Sequence, residues 1–139
     1  MKRTLLALAA AALLAPVAPV AAQTWEIDTA HSQSTFAVRH LMVTNVRGDF
    51  GKTSGTVEYD GKNLSSLKVN ATIDVNSVNT REQKRDDHLR SADFFDVAKF
   101  PTITFVSKRA EPAGEGKFKL IGDLTMKGVT KEVVLDVTG

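Results

Sequence analysis

Arg85-Asp86-Asp87-His88-Leu89-Arg90-Ser91-Ala92-Asp93-Phe94-Phe95-Asp96, continuing through Val97-Ala98-Lys99-Phe100 to Pro101-Thr102-Ile103-Thr104-Phe105, decides how the chain is read. A charged helical turn runs into paired aromatics and then into a strand started by proline. Asn79 or Thr80 is the expected N-cap, with Glu82 and Gln83 in the first turn and Arg90 near the end, the charge order that the helix dipole favours. Leu89, Phe94, Phe95 and Val97 are the residues able to anchor so polar a helix. A lone helix among strands is expected to be a lid or plug over whatever those strands enclose.

Outward from this stretch the chain alternates. Thr35 to Leu41 places Phe36, Val38 and His40 on one face and Ala37 and Arg39 on the other. Val43 to Phe50 and Gly55 to Tyr59 read as two further strands, with Gly48 and Gly51 where a bulge would bend the chain. The clearest alternation is Leu67 to Val75, with Leu67, Val69, Ala71, Ile73 and Val75 sharing a face. Thr102 to Ser107, Lys117 to Thr125 and Lys131 to Thr138 repeat the pattern. Asp60-Gly61, Ala113-Gly114-Glu115-Gly116 and Lys127-Gly128 supply the connections.

Hairpin-linked strands with one apolar face bury that face in a sandwich or a closed barrel. The fold class expected is all-β, an antiparallel barrel carrying one short helix. With about eight strands such a barrel is either filled by side chains or holds one ligand. The modest inward residues Val38, Val69, Ala71 and Gly122 favour a hollow interior.

Residues 1–22 have the parts of an export signal: Lys2 and Arg3, an apolar run from Leu5 to Leu14, and Val20-Ala21-Ala22 before Gln23. Cleavage after Ala22 leaves one domain over residues 23–139. The apolar run is shorter than the roughly 20 residues that span a bilayer. Lys2 and Arg3 are two of the 18 basic residues, so 16 basic face 16 acidic residues beyond the leader. A neutral chain lacks the basic footprint that phosphate backbones require, which argues against nucleic acid as partner. Without cysteine the chain has no disulfide and no thiol for a lipid anchor, so a soluble exported protein is expected.

Chemistry finds little purchase. His31, His40 and His88 match no short metal-ligand spacing, and His31 and His88 are better suited to closing a turn and a helix end. Gly-x-Ser-x-Gly is absent, leaving Ser32 and Ser91 without the elbow a serine nucleophile uses. Asp86, Asp87, Asp93 and Asp96 alternate with Arg81, Lys84, Arg85 and Arg90, the pattern of a solvated, salt-bridged face. Phe94, Phe95, Phe100 and Phe105 read as core that can also line a tunnel. No enzyme, cofactor or metal is expected.

The sequence resembles the YceI-like proteins, a family of polyisoprenoid-binding, lipocalin-like barrels. The likeness rests on Trp25-Glu26-Ile27-Asp28 with His31-Ser32, Phe36-Ala37-Val38-Arg39-His40, Val46-Arg47-Gly48-Asp49-Phe50 and Ile73 to Thr80. It continues through Arg85 to Asp96, Pro101 to Ser107 and Gly122 to Lys131. The resemblance implies a periplasmic barrel whose apolar tunnel holds a long isoprenoid or similar amphiphile. Its walls would be Phe36, Val38, Ile73, Val75, Phe105, Leu120 and Leu135, with Leu89, Phe94 and Phe95 at the helix. Thr29 stands where the family often has proline, and family members continue with strand sequence beyond the position of Gly139. The barrel is therefore expected to be incomplete at its C-terminal side, the gap standing open or filled by a second chain, as in a homodimer. The alternative function is an envelope stress or structural module with a filled barrel that binds a protein partner.

Overall fold

The computed structural model describes residues 16–18 and 21–139, so most of the expected leader lies outside the described residues. Its elements are β1 (Gln23–Glu26), β2 (Ser34–His40), β3 (Thr44–Phe50), β4 (Thr53–Tyr59), β5 (Lys68–Asp74) and β6 (Val78–Asn79). They continue with α1 (Gln83–Arg90), β7 (Thr102–Pro112), β8 (Lys117–Met126) and β9 (Val129–Thr138). Every strand pair is antiparallel. One sheet runs β1-β4-β5-β7-β8-β9 and a second runs β2-β3-β6. No ladder joins the two among the described residues, so the barrel is open, as expected of an incomplete one.

The sheets meet where β3 passes into β4. Asp74 N–H donates to Lys52 C=O at 3.0 Å, and the Ser34 and Thr53 hydroxyls lie 3.0 Å apart across the corner. The bulge expected near Gly48 and Gly51 is not there: Gly48 pairs directly with Phe36. Its missing side chain is what lets the Phe36 ring lie over the paired strand, because a Cβ on Gly48 would stand 2.4 Å from that ring. The register shift falls instead between Ser107 and Arg109. That lets β7 run to Pro112, past the Ser107 expected from alternation. Lys108, at the shift, lies 3.0 Å from both Asp123 and Glu132, and these carboxylates hold its ammonium pKa above the ordinary range.

Two expectations at the helix are corrected. The N-cap is Glu82, whose carboxylate accepts from Lys84 N–H at 3.2 Å, and not Asn79 or Thr80. The polar face is not wholly a solvated array of ion pairs either. Asp87 and Arg90 do pair at 3.2 Å on the surface, but Asp86 is buried. Its carboxylate accepts from Thr80 N–H at 2.8 Å and from Thr80 Oγ at 2.6 Å. Arg85 donates to Thr80 Oγ at 2.7 Å and to Thr80 C=O at 2.8 Å, while Arg90 donates to the carbonyls of Asn76 and Val78. Charged side chains thus tie α1 to β6 and the residues that flank it, through the backbone groups of Asn76, Val78 and Thr80 and the Thr80 hydroxyl.

Candidate functional site

Residues directly opposite each other in an antiparallel ladder point to the same face, so the register defines one continuous inner face. On the large sheet it carries Ile73 with Ile103, then Ala71 with Phe105 and Leu124, then Ser107 with Gly122 and Val133. Beyond the register shift come Ala110 with Leu120 and Leu135, and Pro112 with Phe118 and Val137. On the small sheet the matching face carries Phe36, Val38, Val46 and Phe50. Ile103 and Pro112 are nine residues apart on β7, which makes this apolar face about 30 Å long.

One end of the face is packed shut. Phe50, Val75, Val78, Val97 and Ile103 form a buried cluster, with Phe36, Ile73, Leu89, Phe95 and Leu124 against it. The Phe50 ring meets Phe36 at 5.3 Å and takes Phe95 edge-on at 5.7 Å, the tilted arrangements aromatic pairs prefer. Val75 reaches the cluster by leaving the expected strand. It begins a 3-10 turn, Val75–Ser77, whose start is fixed by Asp74 accepting from Asn76 N–H at 3.0 Å. Phe95 is presented by the loop after α1, where its N–H donates to Leu89 C=O at 2.9 Å.

The other end stays open. Leu120 is buried, but Leu135 beside it is 42% exposed, and Val133 and Val137 are half-buried. An open cleft of about 480 Å³ lies there, with Leu64, Pro112, Phe118 and Val137 in its walls. A second depression, about 410 Å³, opens beside the opposite, polar face of the small sheet, where Thr35, Arg47, Asp49 and Asn79 stand. Its polar lining does not suit an apolar chain.

Of the residues named from sequence, Phe36, Ile73, Val75, Leu89 and Phe95 come together in or against the buried cluster, and Phe105 and Leu120 continue the inner face. Val38 and Leu135 lie on that face at its exposed margins. Phe94 is apart from the rest: it is 48% exposed and sets its ring against His88 at 4.9 Å. Phe50 and Val78 were not among the named residues. Phe50 was within reach of the period-two pattern Val46, Gly48, Phe50, whereas Val78 sits in a strand too short to show any period. Gly122 does not widen the interior as expected, since the Phe105 ring lies 2.6 Å from where its Cβ would be. The groove there is shallower than composition suggested.

His31 closes a turn on Asp28 at 2.7 Å and His88 meets Asp93 at 2.9 Å, both at the surface. Among the described residues no three of His, Asp or Glu gather as a metal site. No helix among them is long and apolar enough to cross a membrane.

The sequence profile of the YceI-like domain matches residues 25–139. A UPF0312 protein of Vibrio vulnificus is 37% identical over 137 residues, covering 97% of this chain and 72% of its own length. The crystal structure of Burkholderia cenocepacia BcnA superposes with a TM-score of 0.73 at 33% identity, covering 81% of this chain and 70% of BcnA. A domain from Saccharophagus degradans, described as polyisoprenoid binding and implicated in plant cell wall breakdown, shares the fold with a TM-score of 0.57 at 19% identity. It covers 75% of this chain and 59% of that domain. With a profile match across nearly all of the described residues, the chain belongs to the YceI-like family.

Proposed function

We propose that the protein holds a long apolar or amphiphilic chain, of the polyisoprenoid class, along its inner face, as a carrier or store in the periplasm. The observation that carries this is the mostly apolar face, interrupted by Ser107 and by Lys131 at its β9 edge, that runs from the aromatic cluster through Phe105 and Leu120 to the exposed Leu135. Apolar surface of that length left in water is costly, at about 25 cal/mol per Å², and a hydrocarbon chain laid along it removes surface from both partners. The description of the Saccharophagus degradans domain supports the ligand class. The reading involves no bond making.

Leu135→Lys tests it, because the side chain stands at the half-open margin where a charge can be solvated without unfolding the sheet. Titration with a fluorescent isoprenoid analogue should show the variant binding about tenfold more weakly, the loss of one buried aliphatic side chain. Equal affinity in parent and variant would contradict the proposed path.

A second reading draws on the tight packing of Phe105 over Gly122 and of Phe36, Phe50 and Phe95 around the cluster. In it the interior is filled by its own side chains and the module serves a protein partner in the envelope. Failure of the protein to bind any isoprenoid or fatty probe, together with reproducible capture of one envelope protein, would favour it.

A further inference from the structure

The hairpin of β2 and β3 ends in Leu41-Met42-Val43, which are 77%, 78% and 87% exposed. Leu41 and Met42 hold φ at 49° and 60°. Positive φ at both central positions defines a type I′ turn, the geometry that Asn-Gly and Asp-Gly adopt with least strain. Here two bulky apolar residues occupy it. Val43 N–H donates to His40 C=O at 3.1 Å, and the Arg39 guanidinium donates to Met42 C=O at 3.1 Å. The tip is therefore held in shape from inside, with its apolar side chains facing water.

Two further observations bear on what covers it. No acidic residue occurs between Asp28 and Asp49, while Arg39 and Arg47 stand on the same outer face of the hairpin, behind the tip. On the hairpin's other face the His40–Thr44 pair stands behind the tip, and beyond it Val38 pairs with Val46 and Phe36 with Gly48, an apolar track to the Phe50 cluster. Asp49 follows Arg47 on that outer face, further from the tip, so at the tip itself apolar side chains are backed by cations alone. That arrangement complements an anionic lipid surface in both its layers: acyl chains below, phosphates above.

We propose that this tip docks the protein on an anionic lipid surface. Leu41, Met42 and Val43 enter the acyl boundary, and Arg39 and Arg47 meet the lipid phosphates. Docking in this pose brings the inner apolar face to the membrane, where an insoluble cargo is taken up or delivered. In naming that surface the inference rests on the carriage reading, although the contact can be measured separately.

The test compares parent and the double variant Leu41→Asn, Met42→Gly, prepared identically, in co-sedimentation with phosphatidylcholine vesicles with or without phosphatidylglycerol. The Asn-Gly pair suits the turn better than the native residues, so the variant keeps its fold, which its thermal transition verifies. Parent should bind the anionic vesicles, more weakly as salt screens the arginines, and less to phosphatidylcholine alone. The variant should bind about a hundredfold more weakly, about tenfold for each side chain withdrawn from the acyl layer. No binding by the parent, or equal binding by the variant, overturns the proposal. So does a variant that changes oligomeric mass while vesicle binding stands, since the tip would then be a protein interface. Organic extraction of the same samples separates the two readings. Isoprenoid found in protein that ignores vesicles removes the docking and keeps the carriage; vesicle binding by cargo-free protein does the reverse.

Discussion

Asp86 shows how a single charge can be structural on a helix face that reads as solvated and salt-bridged. It is 7% exposed and accepts two hydrogen bonds from Thr80, itself 5% exposed. Replacing it by alanine leaves the buried Thr80 N–H without a partner, so Asp86→Ala is expected to lower stability by about 1–3 kcal/mol in urea unfolding. Asp86→Asn, which keeps an acceptor, should cost less. The sequence could not show this, because the group Asp86 serves is mainly a backbone N–H and helical charge patterns look alike whether solvated or buried. Gly122 offers a second case. Phe105 fills the place of its side chain, so Gly122→Ala should destabilise by about 1–3 kcal/mol through overpacking. The Val106 carbonyl oxygen stands as close, at 2.5 Å, so Phe105→Leu in the same chain should recover only the part of the loss due to the ring, and a stability of Gly122→Ala equal to that of the parent would contradict the close packing.

At the scale of elements, alternation located the long strands within a few residues because each has one apolar face. It failed where structure depends on something other than period. The two residues of β6 are too few to alternate, and the register shift at Lys108 resets the pattern that would have carried β7 past Ser107. Val75 continues the alternation of β5 in sequence but leaves the strand for a 3-10 turn, because the Asp74 carboxylate captures Asn76 N–H. Turns were more legible, since their residues carry the chemistry locally. At Asp60-Gly61 the carboxylate accepts from Lys62 N–H and Asn63 N–H, each at 2.8 Å. The Asn63 bond, followed by that of Lys62, lowers its pKa from 3.8 to about 2. A lowered pKa contributes stability that is present above 3.8 and lost as pH falls towards about 2. Parent protein should therefore lose, across that window, an increment of stability that Asp60→Asn does not lose, as read by urea midpoints at matched pH. Parallel pH profiles for the two would show that the turn does not use the charge.

At the scale of the molecule, the inner face was legible as a set of alternating positions, and the residues named from it fall mostly on one surface. What alternation could not give is how the two sheets close on each other. Phe36, Ile73 and Phe95 are brought together by the corner between β3 and β4 and by the loop after α1, neither of which is periodic. Nor could it show that Phe94 turns away to His88 while its neighbour Phe95 turns in. The result is a face closed at its aromatic end and open along β9, with Leu135 and Val38 at the margins. Such a shape suits a long chain lying along the sheet better than a compact molecule enclosed in a pocket.

Native mass spectrometry of the protein purified from a bacterial periplasm, with organic extraction of whatever is bound, tests this most directly. The account predicts a discrete added mass that extracts as a long-chain isoprenoid or fatty amphiphile. A well-folded protein that carries no added mass, and gains none when such chains are supplied, would contradict it.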